Sequence, residues 1–106
     1  RARTIQVAVD PSAGPDDLIR PGHVFPLRAR PNGVLERRGQ TEAAIDLTRL
    51  AGLRPGGVLC ELMNPDGTMT RGVQLQAFCR RHDLPVITVE EIASHLNATS
   101  PAITAV

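Results

Sequence analysis

The near absence of aromatic side chains is the feature that most restricts how this chain can fold. The sequence contains two Phe, no Tyr and no Trp among 106 residues, so a hydrophobic core has to consist of aliphatic side chains. A chain of this length buries about 60–70% of its unfolded surface, which is enough for one marginally stable domain. Nine Pro and nine Gly predict many turns, but the 42% of hydrophobic residues argues against disorder.

Charge and hydropathy exclude several classes of partner. Twelve basic and 11 acidic residues give a net charge of +1, and the nearest approach to a basic cluster is Arg28, Arg30, Arg37 and Arg38. Neither this balance nor the scarcity of stacking rings favours nucleic acid. No apolar run approaches the roughly 18–20 residues of a membrane span, and no signal peptide precedes the first apolar alternation. We therefore expect a cytoplasmic location, no nucleic-acid partner, no membrane association, and a chain that begins inside a larger domain.

Two cysteines stand 19 positions apart, each in an apolar context. A zinc site needs more ligands at closer spacing. Cys60 and Cys79 are therefore expected to be reduced, buried thiols.

The spacing of apolar residues predicts strands alternating with helices. Strands are predicted at Thr4–Val9 and Val58–Met63, at Pro85–Val89, and as a hairpin of Val24–Ala29 with Gly33–Arg37. Helices are predicted at Thr41–Ala51, from Thr70 to near His82, and from Thr88 to Leu96, where Thr88 and Glu91 have the spacing of a capping box. This order is typical of α/β crossover units in the second half, and residues 97–106 are expected to form a loose tail.

The segment from Arg37 to Glu42 is the first candidate site, because it leads into a predicted helix. A helix N-terminus presents unpaired amides and a partial positive charge. Gly39 would let a ligand approach the backbone, and Thr41 and an arginine can hold phosphate oxygens. The alternative interpretation is a capped helix with two solvated arginines.

Two further candidates carry acid–base groups. Glu61 interrupts the apolar run of a predicted strand, where a partly buried carboxylate suits proton transfer; it can equally be an outward-facing strand residue. The turn Arg20-Pro21-Gly22-His23 could project both flanking side chains to one side, and His23 could then act as a general base. A structural or solvated histidine is the alternative. No dinucleotide, Walker-type, CxxC or HExxH motif is present.

Three stretches together resemble the 3,4-dihydroxy-2-butanone 4-phosphate synthase family. They are DPSAGPDDLIRPGHVFPLRA at 10–29, GVLERRGQTEAAIDLTRLAGLRPGGVLCELMN at 33–64, and DGTMTR at 66–71. The resemblance implies an α+β, three-layer fold with a mixed sheet, of which residues 1–96 would be the C-terminal portion. It also implies a homodimeric lyase of riboflavin biosynthesis that converts ribulose 5-phosphate to 3,4-dihydroxy-2-butanone 4-phosphate and formate, with Mg²⁺ or Mn²⁺.

The resemblance assigns roles to residues that match the family's motifs. Arg37 and Thr41 match its phosphate-binding residues, and Glu61 matches an acidic residue that acts in proton transfer. Arg20 and His23 match a turn that borders the site, with His23 as a catalytic candidate and Arg20 as a substrate-binding one.

Two departures from the family pattern affect the expected activity. Gln40 stands where the family has a metal-binding His; its carbonyl can coordinate Mg²⁺ but cannot act as an imidazole acid or base. The acidic loop of the family's N-terminal half is not in this sequence. We therefore expect the isolated chain to be inactive, poorly soluble or self-associating, and dependent on that half or on a same-family subunit. The alternative is a non-catalytic half-domain that binds a sugar phosphate or a partner protein.

Overall fold

The computed structural model describes residues 1–99 of the chain, and these residues contain four α-helices. The helices are α1 (Ala2–Ala8), α2 (Gln40–Leu50), α3 (Gly72–Arg81) and α4 (Val89–Thr99), and single 3₁₀ turns occupy Pro15–Asp17 and Gly33–Leu35. The chain divides into two compact units, Arg1–Gly57 and a second that begins at Val58.

The first predicted strand, Thr4–Val9, is wrong, because most of it lies in helix α1. Its backbone amides bond locally: Ile5 N donates to Arg1 O at 3.1 Å, and Val9 N donates to Ile5 O at 3.2 Å. Residues 1–99 include no strand beside which this segment could pair. An unpaired backbone must satisfy its polar groups within itself, and a helix does so where a lone strand cannot.

The predicted hairpin of Val24–Ala29 and Gly33–Arg37 is also wrong. The first half has no regular structure, and the second half begins with a 3₁₀ turn. The Val34 amide of the second predicted strand donates instead to the Asp46 side chain of helix α2, and the Arg30 amide of the intervening turn donates to Glu42.

Helix α2 confirms the helix predicted at Thr41–Ala51. It covers Gln40–Leu50, and Gly52 follows it with a φ of 73°, a left-handed conformation that favours glycine at a helix C-terminus. The buried face of α2 carries Glu42, Ala43 and Asp46, so two of its three buried side chains are acidic.

Helices α3 and α4 confirm the other two helix predictions in the second unit. α3 starts at Gly72 with Arg71 as N-cap, so the cap is one residue later than the expected Thr70. The predicted capping box of α4 is present: Thr88 N donates to Glu91 Oε2 at 2.7 Å, and Glu91 N donates to Thr88 Oγ1 at 3.1 Å.

The remaining predicted strands, Val58–Met63 and Pro85–Val89, are wrong as well. Among residues 1–99 the only pairing of strand type is an isolated antiparallel bridge between Met63 and Met69. A tight turn closes beside it, with Asn64 N donating to Thr68 O at 2.7 Å. Val58 remains 68% exposed, so this run is not a buried strand. The mixed sheet of the expected fold is therefore not confirmed by the described residues.

The described core is small and is different in each unit. Val34 and Ala43 are its buried apolar residues in the first unit, and Cys79, Ile92 and Ala93 in the second. Cys79 is a buried free thiol as predicted, whereas Cys60 is exposed because its segment lacks a strand partner.

Two other expectations concern the chain as a whole. No helix within residues 1–99 has the length and apolarity that crossing a membrane requires. Helix α4 includes 97–99 of the expected tail, and the rest of that tail, 100–106, lies outside the described residues.

Candidate phosphate site at the start of helix α2

The start of helix α2 and the segment before it form the candidate site. Gly39 is the N-cap of the helix, with an extended backbone of φ −112° and ψ 154°. Because glycine has no side chain, the N-cap contributes no capping oxygen to the first amides of α2. The helix is 11 residues long, so these amides carry the partial positive charge of a helix N-terminus.

Glu42 links two points of the segment that precedes the helix. Its Oε2 accepts a hydrogen bond from the Arg30 amide at 2.8 Å, and its Oε1 accepts one from Arg37 Nη1 at 2.7 Å. The hydrogen bond from Arg37 and then that from the Arg30 amide lower the pKa of the Glu42 carboxyl, against the opposing effect of its burial. Glu42 is therefore an ionised carboxylate at neutral pH.

Asp46, one turn further along α2, fixes the same segment at a second point. Its Oδ2 accepts a hydrogen bond from the Val34 amide at 2.8 Å in a buried environment. Gly33 makes this approach possible: its φ is 64°, and a Cβ built there would overlap the Asp46 carboxylate. Arg38 donates from its guanidinium to the carbonyl of Val34, which ties the end of the segment to its middle.

A cavity of about 400 Å³ opens beside this segment. Its volume is within the range of small-ligand pockets, about 300–1,000 Å³. Three arginines, Thr41 and Glu42 supply its polar lining. The complete lining is Leu27, Arg28, Ala29, Arg30, Pro31, Arg37, Thr41 and Glu42.

The structure brings two of the residues chosen from the sequence, Arg37 and Thr41, to this cavity. Gln40 is the first residue of α2, between them in the chain, and it is exposed. His23 lines a different cavity of about 350 Å³, together with residues of α1 and the loop that follows it. Arg20 is exposed and is not among the described residues that line either cavity.

Glu61 belongs to the second unit, where it is exposed in a segment without regular structure. The buried strand that would have surrounded it is absent from the described residues, so burial does not constrain this carboxylate. Of the two interpretations of Glu61, the local structure agrees with a solvated side chain.

The described residues do not by themselves supply a metal site. Residues 1–99 contain no group of three or more His, Cys, Asp or Glu side chains that could hold a metal ion. Gln40 offers one carbonyl oxygen, whereas Mg²⁺ requires octahedral coordination by oxygen atoms, several of which are often water.

Sequence reasoning placed Glu42 in the candidate segment and named Arg28 and Arg30 in the nearest basic cluster, but it gave none of the three a role in the site. A signal for Glu42 was available: an acidic residue near the start of a predicted helix, five positions after Arg37, is within reach of that side chain. No comparable signal marked Arg28, in the predicted strand Val24–Ala29, or Arg30, in the turn that follows it, as lining a cavity.

The sequence of this chain is similar to those of known enzymes over nearly its whole length. The model of the 3,4-dihydroxy-2-butanone 4-phosphate synthase family matches residues 1–95. The chain belongs to this family. Among curated synthases, that of Pelobacter propionicus is 63% identical over 90% of this chain and 41% of its own length. That of Edwardsiella ictaluri is 58% identical over 95% of this chain and 46% of its own length. The chain thus spans about half the length of these synthases.

Solved structures of the family resemble the chain as well. RibBX, a two-domain synthase from A. baumannii, is 47% identical with a TM-score of 0.90, over 94% of this chain and 30% of that protein. A synthase in complex with two magnesium ions is 40% identical with a TM-score of 0.73, over 89% of this chain and 49% of that protein.

Proposed function

We propose that this chain supplies the phosphate-binding part of a 3,4-dihydroxy-2-butanone 4-phosphate synthase, which converts ribulose 5-phosphate to 3,4-dihydroxy-2-butanone 4-phosphate and formate. The observation that carries the proposal is the cavity at the start of α2, which Arg37 and Thr41 line together. Arg37 would hold the phosphate by charge-assisted hydrogen bonds, and the Thr41 hydroxyl would donate a further one. Membership of the 3,4-dihydroxy-2-butanone 4-phosphate synthase family supports a sugar phosphate as the ligand.

The charge of the cavity supports a phosphate ligand. Its three arginines and one glutamate give the lining a net charge of +2. A phosphate monoester carries about −1.5 to −2 at neutral pH, so the two charges are nearly equal and opposite. The start of α2, where the Gly39 N-cap supplies no side-chain oxygen, would add partial positive charge near Thr41.

The other candidate residues keep proposed roles in the same reaction. Glu61 would transfer protons, because the carbon skeleton of a keto sugar must lose and regain protons during rearrangement. His23 would assist as a second acid–base group, and Arg20 would contact the substrate. Their assignment rests on the motifs they match in the family.

We also propose that the complete enzyme uses Mg²⁺ or Mn²⁺, is a cytoplasmic homodimer, and takes its acidic metal ligands from a part of the synthase outside these 106 residues. The magnesium-bound relative supports the use of a divalent cation, and the half-length match supports ligands that lie outside these residues. A divalent cation would supply polarisation of adjacent substrate oxygens. In this chain Gln40 would offer an oxygen ligand, and Arg37 and Thr41 would anchor the phosphate.

The test is formate production from ribulose 5-phosphate with Mg²⁺. The chain is assayed alone and mixed with the N-terminal half of the Pelobacter propionicus synthase. Activity only in the mixture is expected, because each half would supply part of the site. An associated but inactive mixture that regains activity with Gln40→His would show that Gln40 has removed the metal chemistry. If it stays inactive with Gln40→His, the proposed lyase function is overturned in favour of a binding half-domain.

A matched pair of variants connects the activity to the cavity. Arg37→Ala should raise the KM for ribulose 5-phosphate on the order of tenfold or more, since a hydrogen bond to a charged group contributes about 1.5–3 kcal/mol. Arg54→Ala removes the same charge from the same unit at an exposed position that does not line the cavity. Equal effects of the two variants would contradict a phosphate site at Arg37.

A further inference from the structure

We propose that Glu42 is a positioning residue for the cavity that Arg37 and Thr41 line, which we call the phosphate cavity. Its carboxylate holds the Arg37 guanidinium at the cavity wall and ties Arg37 to Arg30, at the other end of the loop 30–39. The proposal rests on the function proposed above, and it adds a residue to which neither the family's motifs nor the sequence analysis gave a role. Glu42 would act on phosphate only through Arg37.

The contacts of Glu42 form a bridge across the loop. One carboxylate oxygen accepts a hydrogen bond from the Arg30 amide at 2.8 Å, and the other accepts one from Arg37 Nη1 at 2.7 Å. Both Arg30 and Arg37 line the phosphate cavity. A single side chain therefore fixes the separation of two parts of the cavity wall.

The two side chains of this ion pair differ in burial: Glu42 is fixed inside the protein, and Arg37 is accessible to a ligand. The Glu42 side chain is 2% exposed, whereas the Arg37 side chain is 60% exposed. A guanidinium has five N–H donors, and the bond to Oε1 of Glu42 uses one of them. The remaining donors of Arg37 are available to a phosphate because the side chain is partly exposed. Since Glu42 already restrains the guanidinium, phosphate binding should cost less side-chain entropy than it would with a free arginine.

Gly39 supplies the space in which this ion pair forms. A Cβ built on Gly39 would overlap both Arg37 Nη1 and Glu42 Oε1. The Gly39 backbone is extended, with a φ of −112°, so alanine can adopt it without strain. We infer that Gly39 is small because the pair occupies that space, rather than because a ligand approaches the backbone there.

Asp46 provides an internal comparison for Glu42. It lies one turn further along the same helix, is also buried, and also accepts a backbone amide of the loop, that of Val34. Unlike Glu42, it does not line the phosphate cavity. A role limited to holding the fold should make the two carboxylates behave alike, whereas a positioning role should separate them.

The first experiment measures binding of inorganic phosphate to the full 106-residue chain by calorimetry. The Gly39→Ala variant keeps every charge but displaces the pair, and it should weaken phosphate binding on the order of tenfold. Gly14→Ala is the matched control, since a Cβ there meets no atom within 4 Å. In an Arg37→Ala background, Gly39→Ala should have no further effect. A full additional loss in that background would overturn the proposal.

The sign of the Glu42→Gln effect separates positioning from charge. A glutamate that acted only by its charge would repel phosphate, so its neutralisation would tighten binding. Positioning predicts weaker binding in Glu42→Gln. Asp46→Asn should lower phosphate affinity less than Glu42→Gln does, because Asp46 does not line the cavity. Tighter binding in Glu42→Gln, or equal losses in Glu42→Gln and Asp46→Asn, would contradict the proposal.

Side-chain NMR of Arg37 tests the pair even without phosphate. In the unsubstituted chain, rotation of the Arg37 guanidinium should be at least several-fold slower than that of Arg28, and Gly39→Ala should abolish the difference. Equal rotation of Arg37 and Arg28 in the unsubstituted chain would overturn the positioning role. A slow Arg37 in a chain that binds no phosphate would instead reject the proposed function and leave the pairing intact.

Discussion

Both units of the chain bury a few small apolar side chains, but among the described residues only the first also buries carboxylates. In the first unit, the buried face of α2 contains the carboxylates of Glu42 and Asp46, which accept hydrogen bonds from backbone amides of the preceding loop. In the second unit, the buried residues of α3 and α4 are Cys79, Ile92 and Ala93, all of which lack charge. A loop that lines a cavity is thus held by directional hydrogen bonds, whereas the buried side chains described in the second unit are uncharged.

Directional bonds hold atoms more precisely than apolar contacts do, but they carry a larger penalty when one partner is lost. A buried amide without an acceptor costs about 1–3 kcal/mol, and an unpaired buried carboxylate costs more. The same unit that holds Arg37 should therefore be sensitive to changes of charge. The second unit should be sensitive to changes of volume.

Removing volume from the second unit should give the largest loss of stability. Ile92 is 2% exposed on α4, and Ile92→Ala should lower the free energy of unfolding by about 2–5 kcal/mol because it leaves a cavity. The measurement is urea unfolding combined with hydrogen exchange of the α4 amides. Val73→Ala removes two methyl groups where the side chain is 79% exposed, and its loss should be below about 0.5 kcal/mol. Similar losses for both variants would show that α4 lacks an apolar core.

Removing one carboxylate from the first unit should give the next largest effect. Asp46→Ala leaves the buried Val34 amide without its acceptor, so a loss of about 1–3 kcal/mol is expected. Hydrogen exchange should quicken at Val34 and in α2. Asp16→Ala serves as the control, since Asp16 is exposed on a 3₁₀ turn. Unchanged exchange at Val34 in Asp46→Ala would remove the contrast between the two units.

Loss of the α4 capping box should be smaller. Thr88→Ala removes the oxygen that accepts the Glu91 amide, and an N-cap of this kind contributes about 1 kcal/mol. The change should appear as a lower urea midpoint with faster exchange in the first turn of α4. Ser94→Ala, at an exposed position within α4, should not lower the midpoint. A neutral Thr88→Ala would indicate that packing alone sets where α4 begins.

Acid should weaken the first unit through Glu42, with a gradual effect. The folded-state pKa of Glu42 lies below that of an unfolded glutamate, mainly because Arg37 donates a hydrogen bond to it. Its contribution is therefore fully present above the unfolded pKa of about 4.3, and it is lost as the pH falls through the lower folded-state pKa. The protection factor of the Arg30 amide, which is its intrinsic exchange rate divided by the observed rate, should fall as the pH is lowered from 5 to 2. In Glu42→Gln the same amide should show no such transition beyond the intrinsic pH dependence of exchange.

The helices could be predicted from the sequence because their signals are local. The apolar face of α2, the Gly52 stop and the Thr88–Glu91 capping box each depend on residues within a few positions of one another. Strands depend on a distant partner, and the described residues contain no partner for Thr4–Val9 or Val58–Met63. Alternating side chains alone could not decide between a strand and another conformation at those places.

The candidate site was predictable in part for the same reason. Arg37 and Thr41 were chosen together because their segment leads into a predicted helix and matches a motif of the family, and they do line one cavity. Glu42 was part of the candidate segment but received no role, because one of its two partners, the Arg30 amide, is 12 positions away and beyond any local pattern. The placement of His23 in a separate cavity could not be read from a turn motif either.

The paired carboxylates of α2 also set how much the loop can change in length. Glu42 and Asp46 are one helical turn apart, and the amides that they accept, at Arg30 and Val34, are four residues apart in the loop. Helix and loop therefore run in register at two points. After an insertion or deletion between Arg30 and Val34, one of the two carboxylates could still accept its backbone hydrogen bond, but not both. The length of this stretch is therefore fixed, although most of it lies outside any helix or strand.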